Sequence, residues 1–208
     1  DYDGIRRSLE SSLERLAMDY VDIVYIHDPE VYGLEEVLSP ALRAVERLRA
    51  EGMVQAIGVG SKSVEALQRG VNDGDLDVIM VAGRYTLLEQ PAAESLLPLC
   101  RERAVNVVLA APFNTGILAT STPMSQGRYE YGSVPSELLR KAQDISDVCL
   151  SYGVELPAAA LQFPLLHPAV INVVAGASNP RQIEDNVARM DFPIPEAMWE
   201  ELRHRGLI

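Results

Sequence analysis

Apolar residues in this chain follow two alternating rhythms. Stretches with apolar positions three and four residues apart, the spacing of one helix face, alternate with short runs of consecutive β-branched residues, the mark of buried strands. Ile5, Leu9, Leu13 and Leu16 predict a helix over 5–18, with Asp3 as its N-cap. A strand follows at 21–26. Val37, Leu38, Leu42, Val45 and Leu48 predict a helix over 35–51, with Pro40 in its early turns and Gly52 ending it. A second strand is expected at 54–59, a helix at 62–72 with Val64, Leu67 and Val71 inward, and a third strand at 77–81. Next come a helix over 91–103 opened by Pro91, and a fourth strand at 105–110. Residues 119–134 have no period and read as a long loop. Helices at 135–152 and 157–166, split by Gly153, lead to a fifth strand at 170–174 and helices at 180–190 and 195–204.

Strict alternation of strand and helix over short connections implies parallel strands joined by right-handed crossovers, an α/β fold. The run at 21–26 is apolar enough to be buried on both faces, as in a parallel sheet. It ends in His27-Asp28-Pro29. Pro29 cannot donate to a ladder and bars Asp28 from the right-handed helical region, so the strand stops there. His27 is thus set at the carboxyl end of a parallel strand, where α/β folds carry their chemistry, although a half-buried loop histidine has the same look. No G-x-G-x-x-G follows any strand, which removes the dinucleotide-binding signature of doubly wound sheets. A strand every 25–35 residues, roughly, fits a (β/α)8 barrel, though five strands do not close one of eight.

Composition narrows the class. The 208 residues, 48% of them hydrophobic, suit one domain over 1–208. A net charge of -12, with lysine only at Lys62 and Lys141, argues against nucleic acid as a partner. No apolar run nears the roughly 20 residues of a membrane span. Cys100 and Cys149 lack metal-ligand spacing and read as free thiols in a reducing, cytoplasmic setting, and no metal site is expected. The chain opens without methionine, almost directly into a helical pattern, so a segment upstream is expected.

Six stretches in register with the five strand ends carry a resemblance: SLERLAMDYVDIVYIHDP, LRAEGMVQAIGVGS, AGRYTLLEQ, APFNTGIL, LQFPLLHPAV and VVAGASNPRQIEDNV. Together they resemble the C-terminal two-thirds of the aldo-keto reductase family, and most of all its branch of aldose 1-dehydrogenases, with pyridoxal dehydrogenase as a relative. The resemblance implies a (β/α)8 TIM barrel, of which this chain covers about strands 4 to 8. It also implies a nicotinamide cofactor, NAD or NADP, and hydride transfer to or from the carbonyl or hemiacetal carbon of an aldose or small aldehyde. The family's catalytic residues are Asp, Tyr, Lys and His. His27 matches the histidine, and the other three belong to the first three strands.

The remaining assignments come from the same resemblance. Ser61 stands where the family contacts the nicotinamide carboxamide, in a pair that reads Gly60-Ser61 here; it also suits a helix cap. Ala111, Pro112, Phe113, Asn114, Thr115 and Gly116 match the pyrophosphate cradle. The position of the aromatic residue that usually stacks on the nicotinamide falls at Ala110, so that stack is absent or comes from elsewhere. Gly176, Ser178, Gln182, Asp185 and Asn186 match the adenosine-phosphate site, with Asp185 and Asn186 toward the adenine, although a solvated helix face has the same composition. Gly176 and Gln182 replace the Lys and Arg that often clamp a 2′-phosphate, which favours NAD or dual use. Arg84 and Tyr85 are weaker candidates for substrate or cofactor contact, and Tyr85 is equally a packing residue. The alternative reading is a barrel that binds the cofactor in a regulatory or structural role without turnover. The oligomeric state is left open.

Overall fold

The computed structural model describes residues 1–124, 128–130 and 132–208. By internal contacts the chain divides into two compact units, Asp1–Val81 with Ala92–Val108 and Ala82–Pro91 with Leu109–Ile208.

In the first unit, α1 (Tyr2–Leu16) precedes β1 (Ile23–His27). The α1 cap is Asp1, whose carboxylate accepts from Gly4 N at 2.8 Å, so Asp3 falls in the first turn instead. A short 3-10 turn, Pro29–Tyr32, leads to α2 (Leu34–Ala50), which buries Leu38, Ala41, Leu42, Ala44, Val45 and Leu48. Burying each large aliphatic side chain stabilises by about 1.5–3 kcal/mol, which places α2 at the centre of this unit's core. β2 (Ala56–Ser61), α3 (Val64–Asp73), β3 (Val78–Ala82), α4 (Leu96–Glu102) and β4 (Asn106–Ala110) follow.

β1 pairs parallel with β2, with His27 opposite Gly60, and β2 pairs parallel with β3, with Ser61 opposite Val81. The expected parallel order is therefore present. Gly58 makes it possible: a Cβ there would lie 2.3 Å from the Val78 carbonyl oxygen and 2.9 Å from the Tyr25 ring. Asp77 ties the strand starts together. Its Oδ2 accepts from Arg49 Nη1 at 2.6 Å and from Ile57 N at 2.9 Å.

Two expectations need correction here. β1 is not buried on both faces: among the described residues it pairs with β2 alone, at the end of the sheet, and Ile23 stays 43% exposed. The helix expected from 91 begins only at Leu96. Residues 91–95 form turns, Leu97 N reaches back five residues to Ala92 O, and Ser95 has non-helical backbone angles.

In the second unit, a tight loop at 111–116 is followed by the two-residue strands β5 (Arg128–Tyr129) and β6 (Gly132–Ser133), an antiparallel pair. The loop expected over 119–134 thus contains a small hairpin; residues 125–127 and 131 of it lie outside the described residues. Then come α5 (Ser136–Ser151), α6 (Leu156–Gln162), a 3-10 turn Phe163–Leu166, β7 (Val170–Val174), α7 (Pro180–Met190) and α8 (Glu196–His204). The helix expected over 157–166 tightens to 3-10 at Phe163, where Pro164 withholds an N–H. The core holds Leu87, Leu109, Ile117, Ile145, Cys149 and Trp199. Among the described residues no single helix is long and apolar enough to cross a membrane.

Candidate functional site

In the first unit the candidates sit at the carboxyl ends of β1 and β2. His27 ends β1 with its side chain 85% exposed, and its Nε2 lies 3.5 Å from Asp28 Oδ2. Asp28 continues the ladder through its N–H to Gly60 O at 2.9 Å and then turns left-handed at φ 43°, a conformation aspartate tolerates better than most residues. That turn sends the chain back under β2 and brings Glu30 to Ser61.

Ser61 is buried. Its Oγ donates to Glu30 Oε1 at 2.5 Å and accepts from Ser63 N at 2.8 Å. The cap of α3 is Ser63, whose Oγ accepts from Ala66 N, so the cap role imagined for Ser61 belongs to its neighbour. A hydroxyl has one proton and two lone pairs. With the proton given to Glu30, Ser61 retains one lone pair, which suits a ligand N–H and not a ligand carbonyl. Glu30 Oε2 is buried and has no hydrogen-bond partner among the described residues.

The second unit holds the other candidates. The loop Ala111, Pro112, Phe113, Asn114, Thr115 and Gly116 has left-handed backbone at Ala111 (φ 57°), Asn114 (φ 45°), Thr115 (φ 61°) and Gly116 (φ 116°). Three of these are not glycine, and for Thr115, β-branched and exposed, the conformation is an outlier. Such residues cost about 1–3 kcal/mol each and cluster where a backbone shape is itself needed. Within the loop Asn114 N–H donates to Ala111 O at 3.1 Å and Gly116 N–H to Phe113 O at 2.9 Å, and Pro112 has no N–H, which leaves the N–H groups of Phe113 and Thr115 to meet an anion. Asn114 is 5% exposed; its Nδ2 donates to Glu89 Oε2 at 3.1 Å, and its Oδ1 is buried without a partner among the described residues. The orphaned Asn114 Oδ1 is an acceptor and calls for a ligand donor such as an N–H or O–H, not for a phosphate oxygen.

Glu89 organises this region. The same Oε2 accepts from Tyr129 Oη at 2.7 Å, so one carboxylate ties the loop to the hairpin. Burial, followed by the hydrogen bond to Glu89, pushes the Tyr129 phenol up to about 12. Arg84 pairs with Glu130 beside it. Lys141, whose ammonium burial lowers, lines with Glu89, Gln90 and Asp144 a cavity of about 540 Å³. Tyr85 is 7% exposed and stacks with Phe163 at 5.2 Å and edge-on with His167 at 5.7 Å, the packing side of its two expected roles.

At the start of α7 the candidates separate. Asn179 Oδ1 caps the helix through Gln182 N, while Gln182 Oε1 accepts from Ser178 N at 2.6 Å. Gln182 and Ser178 therefore satisfy each other. Asp185 fronts a groove with Arg181, Ala188 and Phe192; Asn186 fronts a smaller apolar one with Ile183, Val187 and Ala175. Their adjacency in sequence rotates them onto different flanks of the helix. Gly176 faces open space, so the absence of a lysine there is not steric.

Glu30, Glu89 and Tyr129 are the residues that sequence reasoning passed over. Glu30 directly follows one recognised stretch, which ends in HDP, and Glu89 lies inside another, AGRYTLLEQ. Nothing in sequence paired Tyr129 with a residue 40 positions away.

The chain is 50% identical over 205 residues to D-threo-aldose 1-dehydrogenase of a Pseudomonas species, covering 99% of this chain and 62% of that protein. To pyridoxal 4-dehydrogenase of Microbacterium luteolum it is 35% identical, covering 100% and 63%. It therefore spans somewhat less than two-thirds of the length of these relatives. A solved aldo-keto reductase from Bacillus halodurans in its holo form superposes with a TM-score of 0.79 at 24% identity, over 98% of this chain and 67% of that one. The glycerol dehydrogenase of Gluconobacter oxydans gives 0.76 at 19%, over 96% and 62%. These likenesses identify the fold as the (β/α)8 barrel of the family, of which this chain covers part. The Aldo/keto reductase family model matches residues 1–205, and the chain belongs to that family.

Proposed function

We propose that the full-length protein is an NAD-preferring aldose 1-dehydrogenase. The observation that carries this reading is the 50% identity, across 99% of the chain, to a protein named for that reaction. When bound, a nicotinamide dinucleotide supplies the hydride acceptor, and the C1–H of the sugar hemiacetal is the donor. The hydride leaves C1 as the C1 hydroxyl loses its proton, and the product is a lactone. His27, exposed at the end of β1, orients the substrate oxygen by a hydrogen bond, a role that needs no change of charge.

Ser61 holds the carboxamide through its remaining lone pair. The loop Ala111–Gly116 meets the pyrophosphate with the N–H groups of Phe113 and Thr115, those of Asn114 and Gly116 being used within the loop, and the strain at Ala111, Asn114 and Thr115 supports that reading. Asn186 takes the adenosine end; Asp185 fronts the other flank of α7 with Arg181 and is left out of that contact. The preference for NAD rests on three residues. A 2′-phosphate calls for a cationic clamp, best supplied by arginine. Gly176 offers no side chain, Gln182 is engaged with Ser178, and Arg181 lies on the flank of α7 away from Asn186. The setting is a reducing cytoplasm, which suits two buried free thiols.

The test is steady-state turnover of the full-length protein with a panel of aldoses and small aldehydes, using NAD and NADP in parallel. Reduction of NAD by an aldose, with higher kcat/KM than for NADP, is expected. Turnover strictly dependent on NADP would overturn the cofactor assignment. Cofactor binding without turnover of any substrate would leave a regulatory barrel.

A further inference from the structure

Ser61 is engaged by a carboxylate, and the chemistry of that carboxylate reaches beyond holding one hydroxyl. Glu30 is delivered beneath Ser61 by the left-handed turn at Asp28 and the 3-10 turn after it. One carboxylate oxygen accepts the Ser61 proton at 2.5 Å; the other is buried and has no hydrogen-bond partner among the described residues. An orphaned buried carboxylate oxygen is costly, and a protein retains one where a ligand completes it or where its charge is used. A structural tether to Ser61 alone would be served as well by glutamine or threonine, without the charge.

We propose that Glu30 is an electrostatic positioning residue that biases the site toward the oxidised, cationic form of the nicotinamide. This rests on the reading above, in which Ser61 lies at the carboxamide. The oxidised nicotinamide ring carries a positive charge and the reduced ring carries none. A negative charge fixed directly behind Ser61, in hydrogen-bond contact with its hydroxyl, favours the first over the second. Because the Ser61 proton points at Glu30, the hydroxyl also turns a lone pair outward, which orients the carboxamide by its N–H. Glu30 thus sets the carboxamide orientation through Ser61 and the redox preference through its charge. A dehydrogenase gains from both: oxidised cofactor is captured and reduced cofactor is released.

The experiment measures dissociation constants of NAD⁺ and NADH for the full-length protein and for Glu30→Gln, by titration without substrate, over a range of ionic strength. Glutamine keeps the shape and an acceptor for the Ser61 hydroxyl and removes the charge. The expected result is a loss of preference for NAD⁺, with the ratio of the two constants shifting about tenfold toward NADH. Glu30→Asp, which keeps the charge, should hold the ratio within about threefold even if both affinities fall. A structural role would weaken both forms alike, so an unchanged ratio in Glu30→Gln overturns the proposal and leaves the functional reading intact. Failure of the unmodified protein to bind either form would instead overturn the functional reading. Should Glu30→Gln fold poorly, Ser61→Ala supplies the second route: it removes the tether but not the charge, so both affinities should fall while the ratio stays on the oxidised side.

Discussion

The strained loop yields the sharpest prediction, because stability and binding should move in opposite directions. Thr115 is exposed and holds φ 61°, ψ 15°. A β-branched residue in that region costs about 1–3 kcal/mol. Glycine adopts it freely, at an entropic cost of about 0.5–1 kcal/mol. Because the side chain buries little, no packing is lost, and Thr115→Gly should stabilise the unliganded protein by about 1 kcal/mol. For a chain of this size that raises Tm by about 2–4 °C. The same change frees a backbone that the pyrophosphate needs fixed. Restoring order on binding costs about 1 kcal/mol per residue, so the dissociation constant for NAD⁺ should rise about fivefold. Thr115→Ala keeps a Cβ and the strain while deleting the hydroxyl, so any loss of affinity in that variant measures the hydroxyl alone. The assays are thermal unfolding without ligand and calorimetric titration of the cofactor. A lower Tm, or unchanged affinity in Thr115→Gly, would refute the claim that strain is held here for binding.

Other expectations follow from burial and close contact. Gly58→Ala should cost about 3 kcal/mol by chemical denaturation, since its Cβ would lie 2.3 Å from a backbone oxygen that cannot step aside; a cost below about 1 kcal/mol would mean β2 and β3 yield there. Burial pushes both Cys100 and Cys149 up to about 12, so neither thiol should react with an alkylating reagent at neutral pH until the protein unfolds. Tyr129 is raised from 10.0 to about 12, first by burial and then by its bond to Glu89. Folding therefore favours its neutral form: that contribution is complete below pH 10 and is lost as pH climbs from 10 to 12. Glu89→Gln should shift the Tyr129 absorbance titration to lower pH and raise the cofactor dissociation constant through Asn114; an unmoved titration would remove Glu89 as its cause.

Legibility in the sequence followed how local each determinant is. Strands in the middle of the sheet, such as Val78–Ala82, were readable because a buried run of β-branched and other apolar residues between turn formers has few other uses. The identity of α1's cap was not, because Asp1 and Asp3 are chemically alike and only the backbone turn selects between them. Over 91–103 the helical spacing held, yet the chain makes turns until Leu96. Of the site, the loop from Ala111 to Gly116 was visible as a motif, but its left-handed residues were not: nothing about Ala111 or Thr115 advertises positive φ. Glu30 and Glu89 went unnoticed since a glutamate in sequence reads as surface. Only the fold brings Glu30 to Ser61 and Glu89 to Asn114 and Tyr129.

The most direct measurement follows a single hydrogen. Aldose deuterated at C1 is incubated with the full-length protein and NAD⁺, and the reduced cofactor is weighed by mass spectrometry. Direct hydride transfer from the anomeric carbon predicts reduced cofactor carrying one deuterium, a slowed rate, and no reaction with the corresponding methyl glycoside, which lacks the C1 hydroxyl. Unlabelled reduced cofactor, or equal turnover of the glycoside, would contradict it.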